Sequence, residues 1–248
     1  KLGKKPAVHD PRTYRLKAVL ATALPVIPSK VNWAPSAQWP MWCNDKIGCC
    51  TQVSVASAIR TWTGAAQAPV MLTDPQVIDN YSAESGYVPG EPSTDEGGVE
   101  LDVLNRWRIE GYERPGQTRD YLTAFGYVDP KNNPQVQRAI AFLGGLYIGL
   151  SLPNYACAVG DFDWIINPLA DNSIAGGHAV FIHGYDADWL YLNTWGAPRR
   201  MSYAFFQKYC DEAYGLVSRQ NWTGITGVSP DGEVLDGLVA EMQASVGA

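Results

Sequence analysis

From Cys50 the chain reads CTQVSVASAIRTW, small and apolar almost throughout, with no Gly or Pro before Gly64. A segment that is apolar on every side predicts a helix of about three turns buried on all faces rather than one lying on a surface. The rest of the chain must therefore wrap it. At 248 residues there is enough chain for one large domain or two small lobes sharing a core. Gly48 supplies the bend into this helix.

The segments that follow divide into two kinds. LTDPQVIDNYSAES offers Thr73 as an N-cap with Pro75 just inside, which predicts a helix to about Ser85. VELDVLNRWRIEGY sets Val99, Val103 and Trp107 on one face, with Leu101 and Leu104 nearby and Gly111 as its end. One more helix follows Pro134 in NPQVQRAIAFLGG. The pattern then becomes strand-like in LYIGLSL, HAVFIHGYD, WLYLNTWG and RRMSYAFF, with Asp186 to Asp188 as a hairpin turn. A short helix around Phe205 to Cys210 and a strand around Gly215 to Ser218 complete the series. The expected fold class is α+β, a helical half followed by an antiparallel-sheet half. The Pro-rich residues 1–40 read as an extended arm wrapped on the body, and residues 229–248 as a separate amphipathic helix.

Charge and composition exclude several functions. A net charge of −6 argues against a nucleic-acid partner, because phosphate neutralisation needs a basic surface. No run of about 18 apolar residues is present, so no membrane span is expected. KLGKKPAVHDPRTYRL has basic residues but no apolar core, so it is not a signal peptide as it stands. The odd count of five cysteines, at 43, 49, 50, 157 and 210, leaves at least one thiol free. Pairing among Cys43, Cys49, Cys157 and Cys210 cannot be read from their order, and the compartment stays open. On the residues alone the Cys49–Cys50 doublet has three readings: metal ligands, a vicinal disulfide, or a nucleophile with a neighbour. A zinc site from Cys43, Cys49 and Cys50 would need a fourth ligand and more usual spacing.

The nucleophile reading has a definite chemistry. A thiol at a helix N-terminus feels the positive end of the dipole, and with an imidazolium partner its pKa can fall from about 8.5 to roughly 3–4. His178, opening a strand in the other half, can supply that partner. Along an extended strand His178, Val180 and Ile182 share one face and Ala179, Phe181 and His183 the other, so His178 and His183 cannot both serve one site unless the strand bulges. Gly176 and Gly177 would let another backbone approach. Asn193 can orient the imidazole, with Trp195 shielding the bond from water. A thioester route builds charge on an oxygen, for which the Cys50 amide and the Asn44 side chain are candidate donors.

The order Asn-x5-Cys, His-Ala-Val, Asn-Thr-Trp-Gly resembles the papain-like cysteine peptidases, whose motifs run Gln-x5-Cys, His-Ala-Val, Asn-Ser-Trp-Gly. EGGVELDVLNRWRIEGY and QVQRAIAFLGGLYIGLSL are similar to further segments of that family, and the resemblance spans roughly residues 40–220 in one order. WCNDKIGCCTQ with GGHAV and TWG also looks like a subgroup found among phage and prophage proteins. The resemblance implies a papain-like two-lobe fold: helices over about 41–130, an antiparallel sheet or barrel over about 131–228, and the active-site cleft between them. It implies Cys50 as nucleophile, His178 as general acid/base, Asn193 as orienter and Asn44 as oxyanion donor. It also implies Gly97, Gly98 and Gly177 as backbone contacts for an extended peptide, Gly98 before Gly97, with Trp195 capping the His–Asn pair.

The implied function is a thiol hydrolase of peptide or isopeptide bonds with a peptide or protein substrate and no cofactor or metal. The alternatives are a catalytically weak papain-like fold serving as a virion structural or interaction protein, and a particle-borne hydrolase of cell-wall peptides. These would place the protein in a phage virion or a bacterial host cytoplasm. The sequence departs from the family pattern at Asn44, one methylene shorter than Gln, at Thr51 in place of an aromatic, and at Ile47 in place of a cysteine. The upstream arm is too short for the family's inhibitory propeptide.

Overall fold

A computed structural model describes residues 1–16, 26–34, 37–158, 162–222 and 240. The expected helix over 229–248 thus lies outside the described residues, apart from one helical position at Ala240. Helix α1 spans Cys50–Ala65, and nearly all of its residues through Thr63 are buried. Most of its polar members fit because their hydroxyls bond back to the turn before: Ser54 to the Cys50 carbonyl, Ser57 to Val53, Thr61 to Ser57 and Thr63 to Ile59, all within 2.9 Å, while Thr51 Oγ1 has no partner. Side chains that look polar in the sequence thus present an apolar exterior.

Helix α2, Asp74–Ser85, begins as expected at a Thr73–Gln76 capping box and ends at Gly86 in the left-handed region. Helix α3 is Glu100–Ile109, followed by a small hairpin of β3 (Tyr112–Arg114) and β4 (Gln117–Asp120). Helix α4 is Asn133–Leu143, capped by Asn132 and closed by Gly144.

The sheet is built around β7, Ile174–Tyr185, antiparallel to β6 (Leu146–Pro153) on one side and β8 (Trp189–Thr194) on the other. Strand β9, Ala197–Ser202, continues from β8, while β10 (Cys210–Val217) and β5 (Ala124–Tyr127) extend the sheet beyond β6. Two short strands from the N-terminal region join it: β1 (Tyr14–Arg15) beside β5, and β2 (Val31–Asn32) beside β7. Helix α5, Tyr203–Tyr209, follows β9, and α6, Arg219–Trp222, follows β10. Sequence patterning underestimated β10, which begins at Cys210 rather than near Gly215 because Asp211 and Glu212 interrupt its apolar run. No helix among the described residues is long and apolar enough to cross a membrane.

Alternation along β7 feeds two cores. Val180 and Ile182 pack with Trp164, Trp195 and Phe205, whereas Phe181 packs with Trp62, Trp107, Tyr147 and Tyr214 on the α1 side. Trp62 stacks on Trp107 at 6.0 Å and meets the Phe181 ring edge-on at 5.8 Å. Trp62→Ala should therefore destabilise the fold by about 3–5 kcal/mol. Thr73→Ala, which removes only the α2 cap, should cost about 1 kcal/mol. Urea midpoints of the two variants against the parent chain check this ordering.

Candidate active site

Cys50 is the first residue of α1 and has no solvent exposure. The Ala179 amide on β7 donates to its Sγ at 3.4 Å. Burial raises the thiol to about 11, against the opposing pull of the Ala179 and Gly3 amides. The depressed pKa expected at a helix N-terminus is thus not reached here, because desolvation of the thiolate outweighs the dipole. Cys49 is also buried, points to the Trp42 carbonyl, and is raised further. All five cysteines are free thiols, and Cys157 and Cys210 each point to a backbone carbonyl.

His178 precedes Ala179 on the same strand, and its ring stacks on Trp195 with centroids 4.6 Å apart and 19° between planes. Its Nε2 lies 2.7 Å from Thr194 Oγ1, and its Nδ1 has no hydrogen-bond partner. Burial, then nearby positive charge including Arg199, lowers the imidazole to about 3. Asn193 pairs with Phe181 across the strands and shares its direction toward α1, where Asn193 Nδ2 donates to Ser57 Oγ at 3.0 Å. Thr194, one residue on, faces His178. The residue beside the ring in this arrangement is therefore Thr194. Trp195 and Gly196 form the two-residue turn from β8 to β9, with φ of 48° and 73°. Such a turn requires positive φ at both positions, an uncommon conformation for Trp, and here it lays the indole on the imidazole. His183 is remote from Cys50: it stacks on Trp39 at 5.4 Å and pairs with Asn32, and burial lowers it to about 4.

The remaining candidates meet at the N-terminal segment. Gly98 donates to the Gly3 carbonyl and accepts from Lys5, both at 2.8 Å, while the Gly177 carbonyl accepts from Gly3 and Lys4 at 3.2 and 3.0 Å. Asn44 Nδ2 donates to the Lys1 carbonyl and to Ile47, each at 3.1 Å, and the Lys1 backbone nitrogen donates to the Asn44 carbonyl. Residues 1–5 thus cross the cleft as an extended strand between the Gly98 and Gly177 walls and cover Cys50. Gly97, with φ of 78°, gives its amide to Tyr81 rather than to this strand. Tyr81 also donates to Asp95 at 2.7 Å, and Asp95 accepts the Gly48 amide at 3.0 Å, which ties the Gly97–Gly98 wall to the turn before α1. The close fit is set by glycine: a Cβ on Gly3 would lie 1.9 Å from the Gly48 oxygen, and one on Gly177 would lie 2.1 Å from the Lys4 oxygen.

No protein-family model matches the sequence, and no curated protein matches it. Solved structures do match the fold. Xylellain, a cysteine protease from Xylella fastidiosa, superposes with a TM-score of 0.67 at 19% identity over 88% of this chain and 96% of its own. The Carica candamarcensis cysteine protease CMS1MS2 gives 0.56 at 17% identity over 77% and 99%. Digestive procathepsin L 3 of the Tenebrio molitor larval midgut gives 0.55 at 16% over 83% and 74%. The fold is papain-like. The α+β two-lobe architecture expected from the motifs is the one observed, with α1 meeting the sheet at Cys50 and β7.

Sequence reasoning missed Thr194, Lys4, Glu100 and Glu212 as residues of this cleft. Thr194 sat within the Asn-Thr-Trp-Gly motif, where strand alternation alone would have put it on the His178 face. Two outcomes follow from the geometry. Gly3→Val cannot seat against Gly48, so iodoacetamide should alkylate Cys50 faster in that variant than in the parent chain; peptide mapping of timed samples checks this. Both buried imidazoles are neutral in the fold, while in the unfolded chain they titrate near 6.5. As pH falls below about 6.5 the unfolded chain takes up protons first, so their share of stability is whole above that pH and drains away toward pH 3–4. Melting temperature should fall across that window, and less steeply in His183→Gln.

Proposed function

We propose that this chain is a cysteine-type hydrolase of peptide or isopeptide bonds, held closed by its own residues 1–5. One observation carries the reading: an extended strand of peptide lies across Cys50, hydrogen-bonded on both sides to Gly98 and Gly177. A cleft that grips main chain by strand pairing has the means to hold a peptide substrate of any sequence that fits its pockets. The catalytic unit in this reading is residues 41–228, with the N-terminal region as its occupant.

With the segment displaced, Cys50 Sγ attacks the scissile carbonyl carbon and its proton passes to His178. His178 returns that proton to the departing amine as the C–N bond breaks, leaving a thioester. Water then adds to the thioester, giving a proton to His178, and the acid product leaves as Cys50 regains its proton. Nδ1 of His178 is the nitrogen free to act, since Nε2 is held by Thr194. With Thr194 accepting, the neutral ring carries its proton on Nε2 and keeps its lone pair on Nδ1, the tautomer a base requires. Asn193 anchors β8 to α1 through Ser57, and Asn44, which grips the Lys1 carbonyl, is the donor for developing oxyanion charge. Among the described residues, no feature favours a virion partner over a peptide substrate.

The test uses the opened Gly3→Val chain with a quenched fluorescent peptide library. Turnover should be abolished by Cys50→Ala with little change in melting temperature. Thr194→Val should lower kcat roughly tenfold, a part of the 10²–10⁴-fold that acid–base catalysis supplies, and should shift the pH profile. Asn193→Ala should act mainly on stability. Absence of Cys50-dependent turnover in the opened chain would sink the reading.

A further inference from the structure

The segment that crosses the cleft does more than cover it: one of its side chains is buried in a slot beside the nucleophile. Lys4 Nζ, with its side chain only 1% exposed, lies 2.9 Å from Glu212 Oε1 and 3.0 Å from Asp211 Oδ1. It also donates to the Lys5 carbonyl at 3.1 Å. Glu100 is fully buried at the start of α3, both of its carboxyl oxygens lack a hydrogen-bond partner, and it is the acid that acts most strongly on Lys4. Glu212 is fixed from its other oxygen by Tyr214 at 3.0 Å, and Asp211 by Ser151 at 2.9 Å. Glu100 and Glu212 are buried and Asp211 lies at the solvent edge of the slot; a buried carboxylate keeps its charge only beside a cation, since each charge taken from water unpaired costs several kcal/mol.

The slot is also shaped for an unbranched stem. A Cβ on Gly149 would lie 2.0 Å from Lys4 Cε, 2.8 Å from Lys4 Cδ and 2.8 Å from Glu212 Cγ, so only glycine leaves room for the lysine methylenes. Gly149 stands between Glu212 on β10 and Ala179 on β7 in the sheet register, and Ala179 is the residue whose amide touches Cys50. The slot therefore opens next to the reacting sulfur, in line with the residue whose main chain Gly98 and Gly177 hold.

Building on the proposed hydrolase, we infer that this slot is a specificity pocket for a cationic side chain, and that the preferred substrates carry Lys or Arg at the residue gripped by Gly98. Lys4 occupies the place that such a substrate side chain would take. The acids come from two places in the chain, the start of α3 and the Asp211–Glu212 pair of β10, and the buried cation that pairs with them belongs to a segment that must leave before any substrate enters.

Two measurements test this. In the opened Gly3→Val chain, a pair of peptidyl epoxides differing only in Lys against norleucine at the gripped residue should label Cys50 at rates differing by roughly ten- to a hundredfold in favour of Lys, as expected for hydrogen bonds to charged groups. Glu212→Gln should narrow that ratio. Separately, Lys4→Ala in the full chain, which vacates the slot beyond Cβ, should gain melting temperature from n-propylammonium but not from n-propanol. Equal or faster labelling by the norleucine probe overturns the pocket and leaves the hydrolase reading standing. If neither probe labels Cys50 although iodoacetamide labels it after unfolding, the hydrolase reading fails and the substrate assignment with it. Propylammonium and propanol acting alike on Lys4→Ala would overturn the cationic slot independently of any activity.

Discussion

The packing of α1 against β7 is the contact on which the remainder of the molecule depends. Helix α1 has no polar face to turn outward, because Ser54, Ser57, Thr61 and Thr63 spend their hydroxyls on its own carbonyls. It must therefore be covered all round, and Phe181, set edge-on to Trp62, fixes where it meets the sheet. That placement brings Cys50 to the Ala179 amide. The alternation that sends Phe181 toward α1 sends His178 to the opposite side, against Trp195 and Trp164. Cys50 on α1 and the proposed base thus both adjoin the His178–Ala179 step of β7, Cys50 through the Ala179 amide and His178 as the residue before it. The strand edge between them is where residues 1–5 lie.

Occupation of that edge explains the electrostatics of the pair. Water is kept from both groups, so the thiol rises to about 11 and the imidazole falls to about 3, and each rests in its neutral form. An ion pair would need solvent or a partner at each charge, and Nδ1 of His178 has no partner while the segment is seated. Removing the strand would readmit water to both and relieve the desolvation that holds them neutral. In the proposed hydrolase, a closed state with an unreactive thiol and an open state with a reactive one would then differ by the seating of a few residues. The glycine contacts at Gly3, Gly48 and Gly177 make that seating close enough to exclude water.

Much of the framework was legible before any coordinates. Thr73 with Pro75, Gly111 after α3 and the Asp186 turn are local signals, and each element formed where its cap or turn chemistry put it. The helix at Cys50 was readable because an all-round apolar pattern admits few other structures. What could not be read depends on contacts between distant segments. Nothing local marked Glu100, in a helix's first turn, and Glu212 fell in the break ahead of the expected strand, until the fold brought both to Lys4. Residues 1–5 read as part of a Pro-rich arm because nothing local in KLGKK shows that Gly98 and Gly177 will pair with it. Asn193 is a case of a motif read by analogy while register decides otherwise: pairing with Phe181 turns it to Ser57 and leaves Thr194 beside the imidazole.

The turn after Thr194 shows how the site holds its ring. Trp195 sits at a φ of 48°, a conformation that costs a bulky residue about 1–3 kcal/mol, and glycine would adopt it freely. A glycine there would remove the strain and also the indole that lies parallel to His178. Since Thr194 fixes one ring nitrogen and Trp195 fixes the ring plane, only rotation within that plane is blocked by hydrogen bonding and only tilting is blocked by stacking. Both constraints come from adjacent residues of one tight turn, so a shift in the β8–β9 register would release them together. The two-residue turn that sets this register therefore fixes the direction of His178 Nδ1, and the strain at Trp195 is inseparable from that function.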